Sequence, residues 1–140
     1  MRILVVNGPN LNLLGSREPE VYGKTTLPEL ESGLKKAFPT VEFTFFQSNH
    51  EGELIDALQG STDEGIVLNA AGFTHTSVAL RDAIASIEVP VIEVHISNIS
   101  ARESFRQHSL TAGECIGSIA GLGIKGYHLA VDFFLSPHYN

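Results

Sequence analysis

The chain has 140 residues, sixteen acidic against nine basic, giving a net charge of −7. A chain this long buries roughly two-thirds of the surface its unfolded form exposes, enough for one ordinary domain, 1–140. The basic residues are scattered, which excludes the basic stripe of a nucleic acid partner, and a single Cys permits no internal disulfide and sets a cytoplasmic expectation.

Residues 2–7, RILVVN, form a continuous apolar run, the pattern of a strand buried on both faces. The run is too short and turns polar too soon for a leader or a membrane span. Residues 7–23, NGPNLNLLGSREPEVYG, then make a polar loop far longer than the ~4–6 residues of a plain connection, so it reads as functional. It places Tyr22 five positions after Arg17. A phenol serves as a base only when ionised, which from an ordinary pKa of ~10 costs roughly 4 kcal/mol at neutral pH. A guanidinium about 4 Å away supplies that order of energy at an effective dielectric of ~20.

Thr26 and Glu29 have capping-box spacing, and Leu27, Leu30, Leu34, Ala37 and Phe38 then share one helical face until Pro39. Residues 41–46 alternate through polar Glu42 and Thr44, the pattern of an edge strand. Ser48 with Glu51 and Ser100 with Glu103 repeat the capping spacing, predicting two further helices. The second of these carries Arg102 and Arg106 one turn apart, a spacing that suits a solvated face or the capture of an anion. Residues 65–69, 90–95 and 116–120 read as strands buried on both faces, and 77–86 and 124–135 as helices. Five strands alternating with five helices predict an α/β fold with a doubly wound, five-stranded parallel sheet, whose commoner strand order is 2-1-3-4-5.

In that order strands one, three and four end side by side on one rim, where the winding reverses and a site forms. They end in Asn7-Gly8-Pro9-Asn10, in Asn69 through His75, and in Glu93-Val94-His95-Ile96-Ser97-Asn98. Glu93 lies two positions before His95 and so on the same side of its strand, where a carboxylate would keep the imidazole protonated or fix its tautomer. Asn69 and His75 either line the site or tie down the loop after strand three. Gly121-Leu122-Gly123-Ile124-Lys125-Gly126 matches G-x-G-x-x-G, but no second strand or acidic residue about 20 positions on follows it. It therefore reads as close helix-to-sheet packing. No H-E-x-x-H or paired Cys supports a metal, and Cys115 reads as structural. Lys24, Lys35, Lys36 and Lys125 fall on turns or an exposed helix, away from where imine chemistry would need them.

GPNLNLLGSREPEVYG (8–23), FQSNHEGELID (46–56), THTSVALRDA (74–83), EVHISN (93–98) and GLGIKGY (121–127) together resemble type II 3-dehydroquinate dehydratase, a shikimate-pathway lyase. The resemblance spans nearly the whole chain. It implies a flavodoxin-like domain that dehydrates 3-dehydroquinate to 3-dehydroshikimate without metal or cofactor, in aromatic biosynthesis or in quinate breakdown. It puts the proton acceptor on Tyr22, its charge-stabilising partner on Arg17, the proton donor on His95, the orienting carboxylate on Glu93, and the enolate-side polar contact on Asn10. Substrate contacts fall on Asn69, His75, Arg106 and the Ile96 and Ser97 backbone, with Arg102 assisting near the tyrosine. Asp82 would reach a neighbouring subunit's site, implying trimers assembled as a dodecamer. Ser100 and the 111–114 stretch depart from the family pattern, and Ser100 is expected to cap the helix that follows it. A flavodoxin-like binding module is the rival, but Asn7 and Asn69 stand where a phosphoryl-accepting regulator needs acids, and no Trp is present to stack on a flavin.

Overall fold

Five strands, β1 (Arg2–Asn7), β2 (Glu42–Gln47), β3 (Gly65–Asn69), β4 (Val91–His95) and β5 (Gly117–Ala120), pair in parallel in the computed structural model, which describes residues 1–137. Their order is β2-β1-β3-β4-β5. Because side chains alternate along a strand, Ile3 and Val5 of β1 enter one core while Leu4 and Val6 enter the other. Helices α2 (Leu27–Ala37) and α5 (Lys125–Leu135) cover the first face; α3 (Glu51–Gln59) and α4 (Val78–Ala85) cover the second. Leu27, Leu30 and Leu34 are the buried stripe of α2, each contributing about 2 kcal/mol through removal from water. The helix starts with the full capping box between Thr26 and Glu29. No helix among the described residues is long and apolar enough to cross a membrane.

Three local expectations are corrected. Ser48 does not cap α3: His50 occupies that position, while the Ser48 hydroxyl accepts from the His50 N–H at 2.9 Å and donates to Glu53 at 2.5 Å. The spacing signature was satisfied by a side-chain turn just outside the helix. Ser100 does not cap a helix either, and Arg102 and Arg106 do not lie on one. The segment after β4 makes two 3-10 turns, Ile99–Ala101 and Ser104–Arg106, the first capped by Asn98, and Arg102 between them is extended. It lacks an apolar stripe to pack, with Phe105 63% exposed, and helices of this length are held by such packing more than by propensity. Finally, β5 is not buried on both faces. It is the far edge strand and mostly exposed, because an apolar run alone does not say which strand lies outermost.

The long loop folds back on the sheet. A 3-10 turn (Leu11–Leu13) and a one-turn helix, α1 (Pro19–Tyr22), interrupt it, and Leu11 and Leu14 are buried among the residues of α2 and α5. Gly8 lets it leave β1: a Cβ there would lie 2.5 Å from the Ala70 carbonyl oxygen, while the Gly8 N–H donates to Asn69 O at 2.8 Å. The G-x-G-x-x-G stretch packs as its context implied. Gly121 turns with φ +87°, and a Cβ on Gly126 would press within 3.1 Å of Val94 on the sheet.

Candidate active site

Glu93 and His95 sit near the end of the interior strand β4, both buried. Alternation puts them on the same side, and His95 Nε2 lies 2.8 Å from Glu93 Oε2. Two hydroxyls from beyond the 3-10 turns complete the shell of the carboxylate. Ser109 donates to Oε2 at 2.9 Å and Thr111 makes a very short bond to Oε1. Burial pushes the Glu93 carboxyl up, but the bonds from His95, Thr111 and Ser109 outweigh it and hold the group below its usual range. Sequence reasoning did not find Ser109 and Thr111. The only signal for them was the need of any buried carboxylate for donors.

His95 lines a cavity of about 130 Å³ at the rim. Opposite stands Tyr22, at the end of α1, half-buried and packed against the core. Its hydroxyl accepts from Arg102 Nη1 at 2.7 Å, and the guanidinium carbons of Arg102 and Arg17 lie 5.3 and 5.4 Å from its ring centroid. The direct hydrogen bond thus comes from Arg102, eighty residues away, while Arg17 adds positive charge over the ring. Arg102 also bonds Ser97 Oγ at 3.3 Å, and Arg106 donates to the exposed Glu103 at 3.0 Å. Both arginines line the cavity, as do Ile96 and Ser97, so the two 3-10 turns achieve the convergence that a helix face was expected to provide.

Asn69 lies at the end of β3 beside Asn7 of β1. Its amide nitrogen donates to Tyr127 Oη at 2.9 Å, Tyr127 donates to Asn7 Oδ1 at 2.6 Å, and Asn69 Oδ1 accepts from the Ala71 N–H at 3.1 Å. Burial pushes the Tyr127 phenol well above its ordinary value and keeps it a neutral link. This chain holds the Asn69 amide in one orientation, and Ala71 adopts a left-handed φ of 52° to meet it, a conformation worth roughly 1–2 kcal/mol of strain outside glycine. His75 donates from Nδ1 to the His108 carbonyl at 2.9 Å, and its ring lies 6.3 Å from that of His95. Asn10, also left-handed at φ 71°, lines the cavity with its N–H bonded to Asn49.

Asp82 is the exception. It is exposed on α4 and does not line this cavity. Cys115 lies behind the site, where burial together with Glu93 and Glu114 pushes its thiol up to about 12, leaving it a poor nucleophile. Among the described residues no three His, Cys, Asp or Glu side chains converge as a metal site would require.

A cavity with cations around a phenol on one wall and a carboxylate-held imidazole on the other is equipped to move protons to and from a small anion. The whole chain supports an enzyme of that kind. The family model for class II dehydroquinase matches residues 1–135. The 3-dehydroquinate dehydratase of an Exiguobacterium species is 59% identical over 133 residues, 94% of this chain and 92% of the relative. The crystal structure of the type II dehydroquinase from Butyrivibrio crossotus superposes with a TM-score of 0.94 at 45% identity, covering 97% of this chain and 98% of that one. That from Propionibacterium acnes gives 0.91 at 41% identity, covering 95% and 94%. The chain belongs to the class II dehydroquinase family and is a lyase of that type.

Proposed function

We propose that the chain, as one catalytic domain in the cytoplasm, dehydrates 3-dehydroquinate to 3-dehydroshikimate in the shikimate pathway, without metal or cofactor. The observation that carries the mechanism is the Tyr22 hydroxyl 2.7 Å from Arg102, on a cavity that also holds His95. As tyrosinate between Arg102 and Arg17, Tyr22 takes the proton beside the ketone. The enolate forms against polar contacts organised by Asn10, and His95 protonates the hydroxyl that leaves. Arg106 and the backbone of Ile96 and Ser97 receive the carboxylate, with Asn69 and His75 aligning the ring hydroxyls. The loop carrying the base closes over the substrate, and excluding water strengthens each of these charges.

Incubation with 3-dehydroquinate is expected to produce the ultraviolet-absorbing conjugated enone at the same rate with and without a chelator. Borohydride added with substrate is expected to leave activity intact, since no lysine lines the cavity of Tyr22 and His95. Irreversible inactivation with a substrate adduct on a lysine would replace this reading by imine chemistry.

Assembly is part of the same proposal. Asp82 is exposed and does not line its own chain's cavity, which suits a residue serving a neighbour in a trimer, with four trimers forming a dodecamer. Asp82→Ala is then expected to raise KM about tenfold, the loss of ~1.4 kcal/mol of binding, and dilution to monomer is expected to abolish turnover. Sedimentation and activity across one dilution series check it: a fully active monomer would leave Asp82 an ordinary surface residue.

A further inference from the structure

The hydrogen bonds around Glu93 account for every proton in its shell. The Ser109 oxygen accepts from the N–H groups of Thr111 at 3.2 Å and Ala112 at 3.0 Å, which uses both its lone pairs. Its one hydroxyl proton is therefore free only to be donated, and of the two oxygens in reach, Glu93 Oε2 at 2.9 Å and Thr111 Oγ1 at 3.2 Å, the carboxylate is the nearer and the charged acceptor. Thr111, fully buried, offers its proton to Oε1. A carboxylate held by two such donors is acceptor-only, so the third contact, at 2.8 Å, requires the proton on His95 Nε2. Nδ1 is left as the ring nitrogen able to serve the cavity.

We propose that Ser109 and Thr111 are positioning residues for the acid: their hydroxyls set Glu93 as a pure acceptor, which pins the Nε2 proton and makes Nδ1–H of the imidazolium the proton handed to the leaving group. The proposal rests on the dehydratase reading above and adds to it the proton count and the atom. In the step, the Nδ1–H bond breaks as an O–H bond forms on the departing hydroxyl. The C–O pair leaves with the oxygen, the enolate electrons close the new C=C bond, and water departs. His95 is left neutral with its proton on Nε2, and solvent later restores the second proton. Other titratable and charged groups also face this pair. His75 lies beside the His95 ring, Cys115 lies behind Glu93, and Tyr22, Arg17, Arg102 and Arg106 share the cavity. None of them donates a hydrogen bond to Glu93, whose hydrogen-bond partners among the described residues are His95, Ser109 and Thr111.

The test begins with the unaltered protein. Nitrogen-15 spectra of neutral His95 are expected to show the Nε2–H tautomer; the Nδ1–H tautomer would overturn the proposal whatever the enzyme turns over. Thr111→Val removes the hydroxyl at nearly constant shape. It is expected to lower kcat about 30-fold with KM within threefold, and to move the acidic limb of kcat up by about one pH unit, as Glu93 binds its proton more tightly. Thr111→Ser is expected to recover most of that loss. A Thr111→Val enzyme with unchanged kcat and pH profile would also overturn the proposal. If Thr111→Val does not fold, the wild-type tautomer and the Ser109→Ala pH profile decide. Were the protein to show the Nε2–H tautomer yet leave 3-dehydroquinate untouched, the dehydratase reading would fall while the proton count at Glu93 stood.

Discussion

Tyr22→Phe is expected to lower kcat by about 10³-fold, the scale of a lost general base and some 4 kcal/mol in barrier, with the fold unchanged. The reasoning is local. The aromatic ring packs against the core that includes Leu11 and Leu14, and phenylalanine keeps that contact. What disappears is the oxygen that accepts from Arg102 at 2.7 Å, the only atom of the residue able to take a proton. Arg102→Met keeps the oxygen but removes the hydrogen-bonded cation, leaving Arg17 as the remaining charge by the ring. Its loss is expected to be smaller, on the order of 10²-fold. Steady-state kinetics with thermal melts of both variants make the comparison. A folded Tyr22→Phe enzyme retaining more than about a tenth of turnover, a difference of ~1.4 kcal/mol, would take the base role away from Tyr22.

The second large effect is expected from Glu93→Gln, which changes both stability and rate. Every neighbour of the carboxylate donates: His95 Nε2, the Ser109 hydroxyl and the Thr111 hydroxyl. An amide of the same shape must turn its own N–H₂ toward at least one of these donors. One buried group then loses its partner, at about 1–3 kcal/mol, and kcat falls roughly 10²-fold or more as the imidazolium loses its counter-charge. The pH dependence follows from the lowered carboxyl of Glu93. Because its proton affinity is weaker folded than unfolded, the wild-type stabilisation is complete above the unfolded-state pKa of ~4.3. It is lost as pH falls through the lower folded value. Urea denaturation from pH 7 to pH 3 is therefore expected to show a steeper acid loss for wild type than for Glu93→Gln. Parallel curves would mean that Glu93 is not held ionised by its shell.

Much of this site was legible along the chain. Glu93 and His95 were readable as a pair because a strand repeats every two residues, and alternation dictates that such neighbours share a side. Asn10, Asn69 and His75 were placed because residues that follow buried parallel strands must emerge at one rim. Tyr22 and Arg17 stood out through five-residue proximity in an overlong loop. The resemblance put Arg102 near the tyrosine, but no spacing along the chain marked it as the donor to Tyr22, since only the folded chain brings positions eighty apart to 2.7 Å.

By itself, then, the sequence determined what depends on short spacing: the apolar runs of β1, β3 and β4, the capped stripe of α2, the alternation of strand and helix that makes the sheet parallel, and the Glu93–His95 pair. Tertiary structure decided what depends on which surfaces remain to be covered and which distant groups meet. It left β5 uncovered at the sheet edge although its run looked buried. It denied a helix to the segment after β4, whose capping signature had no apolar face behind it. It also brought Ser109 and Thr111 from sixteen and eighteen residues away to satisfy Glu93. The physical reason is common to all three. Propensity and periodicity act within one or two turns of chain, whereas burial and the satisfaction of buried charge are settled by whatever the completed fold places alongside.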